Sequence, residues 1–571
     1  MTSKWRPKLL PAIILAAAAA LRVWGLKWGL PNSAHAYSYH PDEFLTIGAA
    51  GIVLCSFFPR FYNYPSLYIY LAAVAMAFGS VYGLAPDLAG AYLCARVVTA
   101  LMGIGAVAVV YWAGNKLWGS APEDSPGFEI PDYLPGLLAG LVLCIAPLHV
   151  QHSHFATVDV PSTLFVAACL GFAGLVLKRG WWRDYLLCGV MAGLAAGTKY
   201  NAGLVVLSLI TAHYLGGKGR FAGLSSCRWG RSSTLELDNL VLFGLRLIAA
   251  LGCVIAAFII STPGIIFQWS NFKDGFLYEV AHSAAGHGLV FAGTGNGFVY
   301  TFTSSLWYGL GPAIAILFVA AAFYAINRLD RSALIILAFA LPYYALISIS
   351  QVRFARYALP LFPAAALLIG WMARDVWSRL PKGIKWAWAG LCAVVLVGTL
   401  LYTIALDRLF VQPPPQDRAA RWIFANIPKG SSIGVIDLPW FYSPPYSSSV
   451  SLDTEDLRIE ALRHLPYALA PIAEPPFPMI SWPRRHWCIV SDYEISEATR
   501  LRENRSVSDA DRAQAQRVIR DLNTLKVAYT LRATFSDRLC AFGIGLGSTQ
   551  SLPHDMRYPA PTIWIYELKK K

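Results

Sequence analysis

Twelve apolar segments constrain this chain more than any other feature: residues near 9–30, 66–85, 91–113, 136–149, 162–177, 185–198, 201–216, 240–267, 307–326, 332–349, 357–372 and 386–406. A helix needs about 20 apolar residues, with ~17 the usual lower limit, to cross a bilayer with its own backbone satisfied. One such run suits a buried core helix. A succession of them, joined by short polar loops, leaves a helical membrane bundle. Of 571 residues, 56% are hydrophobic and 14% charged, and the mean hydropathy is +0.48; soluble domains carry roughly 25% charged residues. The start, MTSKWRPKLLPAIILAAAAALRVWGL, has a basic lead and an apolar stretch without a clear cleavage site, and reads as an uncleaved first span.

The net charge of +14 would suit nucleic acid, but its distribution argues against that partner. Lys4, Arg6 and Lys8 precede the first span. Lys178, Arg179 and Arg183 share one loop, and Lys218, Arg220, Arg228 and Arg231 another. Arg328 with Arg331, and Arg374 with Arg379, Lys382 and Lys385, fill two more. Basic loops mark the cytoplasmic side. The residues around Asp159, the Lys199 turn, 268–306, 350–356 and the chain after 407 then face outward. Asp42 and Asp159 both face outward only if one intervening segment, 66–85 or 136–149, does not cross. About 11 crossings fit the charges, and a family-like count reaches 13. Eight of ten cysteines lie at or before Cys392, mostly in apolar runs, as small buried hydrophobes. Only Cys488 and Cys540, in the polar C-terminal part, are placed for a disulfide.

The expected architecture is an all-α polytopic bundle over residues 1–408 and a small extracytoplasmic α/β domain over 409–571. In the latter part, SSIGVIDL, WCIVSDY and TIWIYEL read as strands and DADRAQAQRVIRDLNTL as a helix.

Chemistry-bearing residues gather in the outward loops. Tyr39-His40-Pro41-Asp42-Glu43-Phe44 places two carboxylates side by side, where mutual repulsion poises one as a base. The blander reading makes Asp42 the cap of a helix from Glu43 to Cys55. In Asn63-Tyr64-Pro65-Ser66, Pro65 suits a helix's first turn, and the aromatics suit an interfacial belt. The stretch from His149 through His152, His154 and Asp159 invites a metal reading, but zinc needs three or four converging ligands that this spacing does not guarantee. A divalent metal stays open. Lys199-Tyr200 ends a Gly/Ala-rich helix, where snorkelling is the ordinary explanation. Glu279 and His282 share a helical face, with His287 beyond. Arg353, Arg356 and Tyr357 sit in an outward loop against the charge rule, so the arginines call for an anionic partner, carboxylate or phosphate.

These motifs resemble those of C-type (GT-C) glycosyltransferases of family 39, which includes protein O-mannosyltransferases and aminoarabinose transferases acting on lipid A. The likeness is carried by HPDEF at 40–44, NYPSLYIY at 63–70, HSHFATVDVPSTLF at 152–165, GLAAGTKYNAG at 193–203 and RFARYALPLFP at 353–363. RAARWIFANIPKGSSI and PAPTIWIYELKKK resemble its tail domain. The resemblance implies a polyprenyl-phosphate-linked sugar, hexosyl or pentosyl, and transfer with inversion to an extracytoplasmic hydroxyl on protein, lipid or glycan. Asp42 matches the presumed base, followed by Glu43, and Asp159 the second acidic position. Lys199 and the Arg353, Arg356 and Tyr357 group fall where donor phosphate contacts belong. His40, Tyr64, His154 and Tyr200 join the expected substrate-binding set; Glu279, His282 and His287 take no role from the resemblance and are expected to bind the acceptor. Asn63-Tyr64-Pro65-Ser66 departs from the aminoarabinose transferases, which carry a basic residue beside a Pro-Pro element. The expected location is a bacterial inner membrane. The alternative is a transporter or flippase of lipid-linked sugars, disfavoured because no inverted duplication is visible and the polar residues cluster at one face.

Overall fold

The structure is a computed structural model that describes residues 6–119, 133–221, 233–436, 439–447, 465–471 and 485–569. Lys4, Arg228 and Arg231 lie outside the described residues.

The chain is an integral membrane bundle. Among the described residues six helices are long and apolar enough to cross a bilayer: Leu88–Trp118, Asp159–Lys178, Val241–Ser261, Arg331–Ile349, Ala355–Arg379 and Lys382–Asn426. Gly297–Leu310 and Pro312–Arg328 pass the same test together, bent by 118°. Gly311 makes that bend, with a φ of +86° that a side chain would resist, and Pro312 opens the next helix. Shorter apolar helices are Leu9–Val23, Leu67–Val81 and Leu134–Cys144. Leu134–Cys144, with 11 residues, rises about 16 Å, roughly half the hydrocarbon thickness. Its last carbonyls, of Leu143 and Cys144, are taken by the buried guanidinium of Arg22.

Burial sorts the helices. The apolar stretch of Asp159–Lys178 is 78% buried inside the bundle, and that of Val241–Ser261 only 11%, so the first is central and the second peripheral. Gly189, Gly193 and Gly197 line one face of helix Trp182–Thr198, where a Cβ would strike Ala250, Val254 and Ser261 of the neighbouring helix. Small residues four apart let the two backbones approach without clash. The helix ends at Thr198 along that contact, and Lys199 is its C-cap.

Among the described residues the C-terminal part contributes seven strands: β1 (Ser432–Val435), β2 (Ala468–Pro471), β3 (Trp487–Ser491), β4 (Tyr529–Phe535), β5 (Arg538–Ala541), β6 (Ile544–Ser548) and β7 (Ile563–Leu568). Five form a sheet in the order β2-β1-β3-β7-β4, parallel between β1 and its two neighbours and antiparallel at β7. Helix Pro415–Asn426 packs Ala419 and Ile423 on one face, and helices Asp492–Leu501 and Asp509–Ala528 cover the other. The three expected strands and the expected helix are all present. Cys488 and Cys540 are free thiols. Asp42 is not the helix cap: the helix runs Pro41–Ser56, and His40 caps it by accepting the Asp42 N–H at its ring Nδ1. Pro65 lies just ahead of helix Leu67–Val81 rather than in its first turn.

Candidate active site

The His40 cap fixes the phase of the first-loop helix and so separates its two carboxylates. Successive helical residues project about 100° apart. Glu43 turns inward and is fully buried, accepting from Arg96 Nε at 2.7 Å and Nη2 at 2.6 Å, Ser38 Oγ at 2.5 Å and the Ala156 N–H at 2.7 Å. Arg96 also donates to the carbonyls of Leu26 and Trp28. Glu43 therefore staples the first loop to the bundle and faces away from the cavity. Asp42 faces the cavity, bonded to Tyr64 and 2.8 Å from Arg356 Nη2. Burial pushes its carboxyl above the usual carboxylate range, and Arg356 opposes the shift.

Asp159 opens the central helix, and its Oδ1 lies 2.5 Å from Lys199 Nζ. Lys199 also sits 4.6 Å over the Tyr357 ring. Arg356 joins the two acids, with Nη2 on Asp42 and Nε 3.9 Å from Asp159 Oδ2. Its guanidinium stacks 3.9 Å over Phe354, and its Nη1, though buried, has no hydrogen-bond partner. From the C-terminal part, Asp555 accepts the backbone N–H groups of Ala355 and Arg356, each at 2.9 Å. The result is a buried line of alternating charge: Asp42, Arg356, Asp159, Lys199.

Above it lies a cavity of about 570 Å³. Asp42, Tyr64, Arg356 and Tyr357 form its floor, helix Trp269–Ala285 with His287 one wall, and Trp440, Phe441, Tyr493, His554, Arg557 and Tyr558 the roof. Glu279 reaches in from that wall with a carboxyl raised to about 7, by burial first and by the Asp42 charge second. His282 Nε2 and His287 Nδ1 are 3.0 Å apart, and burial keeps both rings below the usual histidine range.

Several expected residues do not reach the cavity. His154 is enclosed between the carbonyls of Val150 and Trp24 and stacks on Phe410. Tyr200 donates to the Tyr62 carbonyl among Phe258, Phe272 and Phe276. Arg353 pins the 294–295 loop through Thr294 Oγ1 and the Gly295 carbonyl. His40 packs against Phe155 and Tyr558 behind its helix start. No group of three or more His, Cys, Asp or Glu able to hold a metal exists among the described residues. His149 turns to Arg22 and Thr163, away from His152 and His154. The carboxylates of Asp42 and Asp159 are bonded to the side-chain cations Arg356 and Lys199.

Sequence reasoning missed Arg96, Asp555 and the residues of the cavity roof. Arg96 is a lone arginine within an apolar segment, a placement costly enough to be a signal in itself. Asp555, with Arg557 and Tyr558, lies in LPHDMRYP, whose polar composition resembles any loop and carries no such signal.

A family model described as dolichyl-phosphate-mannose-protein mannosyltransferase matches residues 131–226, the stretch that supplies Asp159 and Lys199. No curated protein matches the chain. Among solved structures, the oligosaccharyltransferase of Archaeoglobus fulgidus in the apo form is similar at TM-score 0.50 and 12% identity, over 98% of this chain and 77% of its own. ArnT from Cupriavidus metallidurans, bound to undecaprenyl phosphate, is 16% identical over 87% of this chain and 95% of its own, at TM-score 0.45. The protein O-mannosyltransferase Pmt1-Pmt2 complex of S. cerevisiae is 16% identical over 48% of this chain and 35% of its own, at TM-score 0.35. The fold is that of a GT-C membrane bundle with a small C-terminal sheet region, and in sequence the chain resembles the O-mannosyltransferases.

Proposed function

We propose that this chain is a membrane glycosyltransferase that moves a sugar from a polyprenyl-phosphate donor to an acceptor hydroxyl, with inversion. The observation that carries the reading is Arg356: a buried guanidinium that reaches both Asp42 and Asp159 while its Nη1 makes no hydrogen bond, the Asp555 carboxylate lying 3.7 Å from it. A buried donor that makes no hydrogen bond is costly, and a phosphoryl oxygen is a natural acceptor for it. Lys199 uses one of its three N–H donors on Asp159 and has others for the same phosphate.

Asp42 takes the acceptor's proton, the freed oxygen attacks the anomeric carbon, and the bond from that carbon to the phosphate oxygen breaks. The electron pair leaves with the polyprenyl phosphate, whose charge Arg356 and Lys199 stabilise. Asp159 holds both cations, and Glu43 positions the helix that aims Asp42. Glu279, His282 and His287 face Asp42 across the cavity as acceptor contacts. Residues 1–408 make the catalytic bundle and 409–571 its roof, on the extracytoplasmic side of a bacterial inner membrane.

The test is transfer from radiolabelled polyprenyl-phosphate sugars by purified protein in liposomes with acceptor-bearing membranes, comparing wild type with Asp42→Asn. Loss of transfer in a folded variant supports the reading, and undiminished transfer overturns Asp42 as base. Movement of the lipid between leaflets without transfer would point to a transporter.

A further inference from the structure

The β5–β6 hairpin carries two features that its own stability does not explain. Ala541 pairs with Ile544, so the turn consists of Phe542 and Gly543 alone, and their φ values are +50° and +82°. Two-residue turns with positive φ at both positions favour Asn-Gly or Gly-Gly, because a large side chain resists the left-handed region. Here a phenylalanine occupies the strained position, and it is 79% exposed. Ile544, beside it, is 55% exposed. An exposed aromatic kept at a strained turn implies a contact that the protein itself does not provide.

The hairpin's direction identifies that contact. Asp537, at its base, pairs with Arg418 at 2.7 Å, and Cys540, one residue short of the turn, accepts from Arg408 at 3.2 Å. As the hairpin advances toward its tip, its partners step back along the chain toward the end of helix Lys382–Asp407, on which β5 packs. Two further residues carry the tip about 7 Å past the Arg408 level, at ~3.3 Å per residue, alongside the helix's last turns. That helix is a membrane span whose apolar stretch is only 22% buried by protein, with Val394 and Val397 exposed on it. The tip thus lies beside the outer end of that span, where Leu401, Tyr402 and Ile404 are half-buried and beyond which the exposed Val397 and Val394 continue toward its middle; interfacial segments insert at such a boundary. Arg408 and Arg538 lie nearer its base, where a cation meets phosphate headgroups.

We infer that the Phe542–Ile544 tip is a membrane anchor, inserted into the bilayer leaflet on the side of the C-terminal domain. The inference rests on the membrane bundle and the hairpin geometry, not on the glycosyl-transfer reading. A benzophenone side chain placed at Phe542 in the full-length protein, in phospholipid nanodiscs, should form a phospholipid adduct on illumination, read by mass spectrometry. The same probe at Ile260, 78% exposed on the peripheral span, serves as reference. Lipid adducts at both positions support the anchor; adducts at 260 alone, or 542 joined to a second copy of the chain, overturn it. Phe542→Gly provides a second readout because it relieves the turn. Amide exchange of 538–548 in nanodiscs should become at least threefold faster if lipid protection has been lost, and unchanged or slower exchange would contradict insertion.

Discussion

Asp555 holds Arg356 by the backbone rather than by charge alone: its two carboxylate oxygens accept the N–H groups of Ala355 and Arg356 at 2.9 Å, while its nearest approach to the guanidinium is 3.7 Å. A residue of the C-terminal part thereby sets the angle at which a membrane-end arginine meets Asp42. Asp555→Ala leaves two buried amides unsatisfied, at about 1–3 kcal/mol each. The expected outcome is a lower Tm together with lost transfer, and Asp555→Asn should restore part of both. Equal transfer by wild type and Asp555→Ala would remove Asp555 from the site.

Arg356 bridges two acids with a planar fork, a geometry that an ammonium does not reproduce. Arg356→Lys should reduce transfer by about 100-fold or more, the scale of losing a buried stabilising donor, while the protein still folds. Arg356→Ala should cost about 3–5 kcal/mol, because Asp42 loses its nearest cation. Thermal melts in detergent alongside transfer assays separate the two effects.

Asp42 and Glu43 are neighbours with opposite expected failures. Glu43→Gln weakens a fully buried pair with Arg96 and should lower stability by about 3–5 kcal/mol, visible as poor recovery of folded protein. Asp42→Asn should fold and lose transfer by about 10²–10⁴-fold, the usual contribution of a general base. A folded, active Glu43→Gln would show that its staple is dispensable.

Glu279 holds its proton up to about pH 7, whereas an unfolded chain releases it near the ordinary 4.5. Its contribution to stability is full below 4.5 and is lost as pH rises toward and through 7. Between those values melting temperature should fall with rising pH, and Glu279→Gln should flatten that slope. The pH profile of transfer should also lose an inflection near 7 in this variant, and an unchanged profile would separate Glu279 from the reaction.

Apolar run length and loop charge are enough to show a membrane bundle, because a bilayer core allows few solutions to backbone hydrogen bonding. Strands β1, β3 and β7 and helix Asp509–Ala528 were legible for a similar reason, being local patterns of period two and 3.6. Asp42, Asp159, Lys199 and Arg356 could be nominated because charge at a membrane boundary is costly and therefore informative. Which nominee faces the cavity was decided only by the fold. The phase of one helix, set by the His40 cap, turned Asp42 into the cavity and Glu43 onto Arg96. Two residues of a short turn, Phe354 and Ala355, separated Arg353, spent on the 294–295 loop, from Arg356. Asp555 could not be read from its neighbours, since its role exists only where distant backbone meets it. Sequence determines which side chains are available and how each segment folds locally; direction and partnership come from packing between segments far apart in the chain.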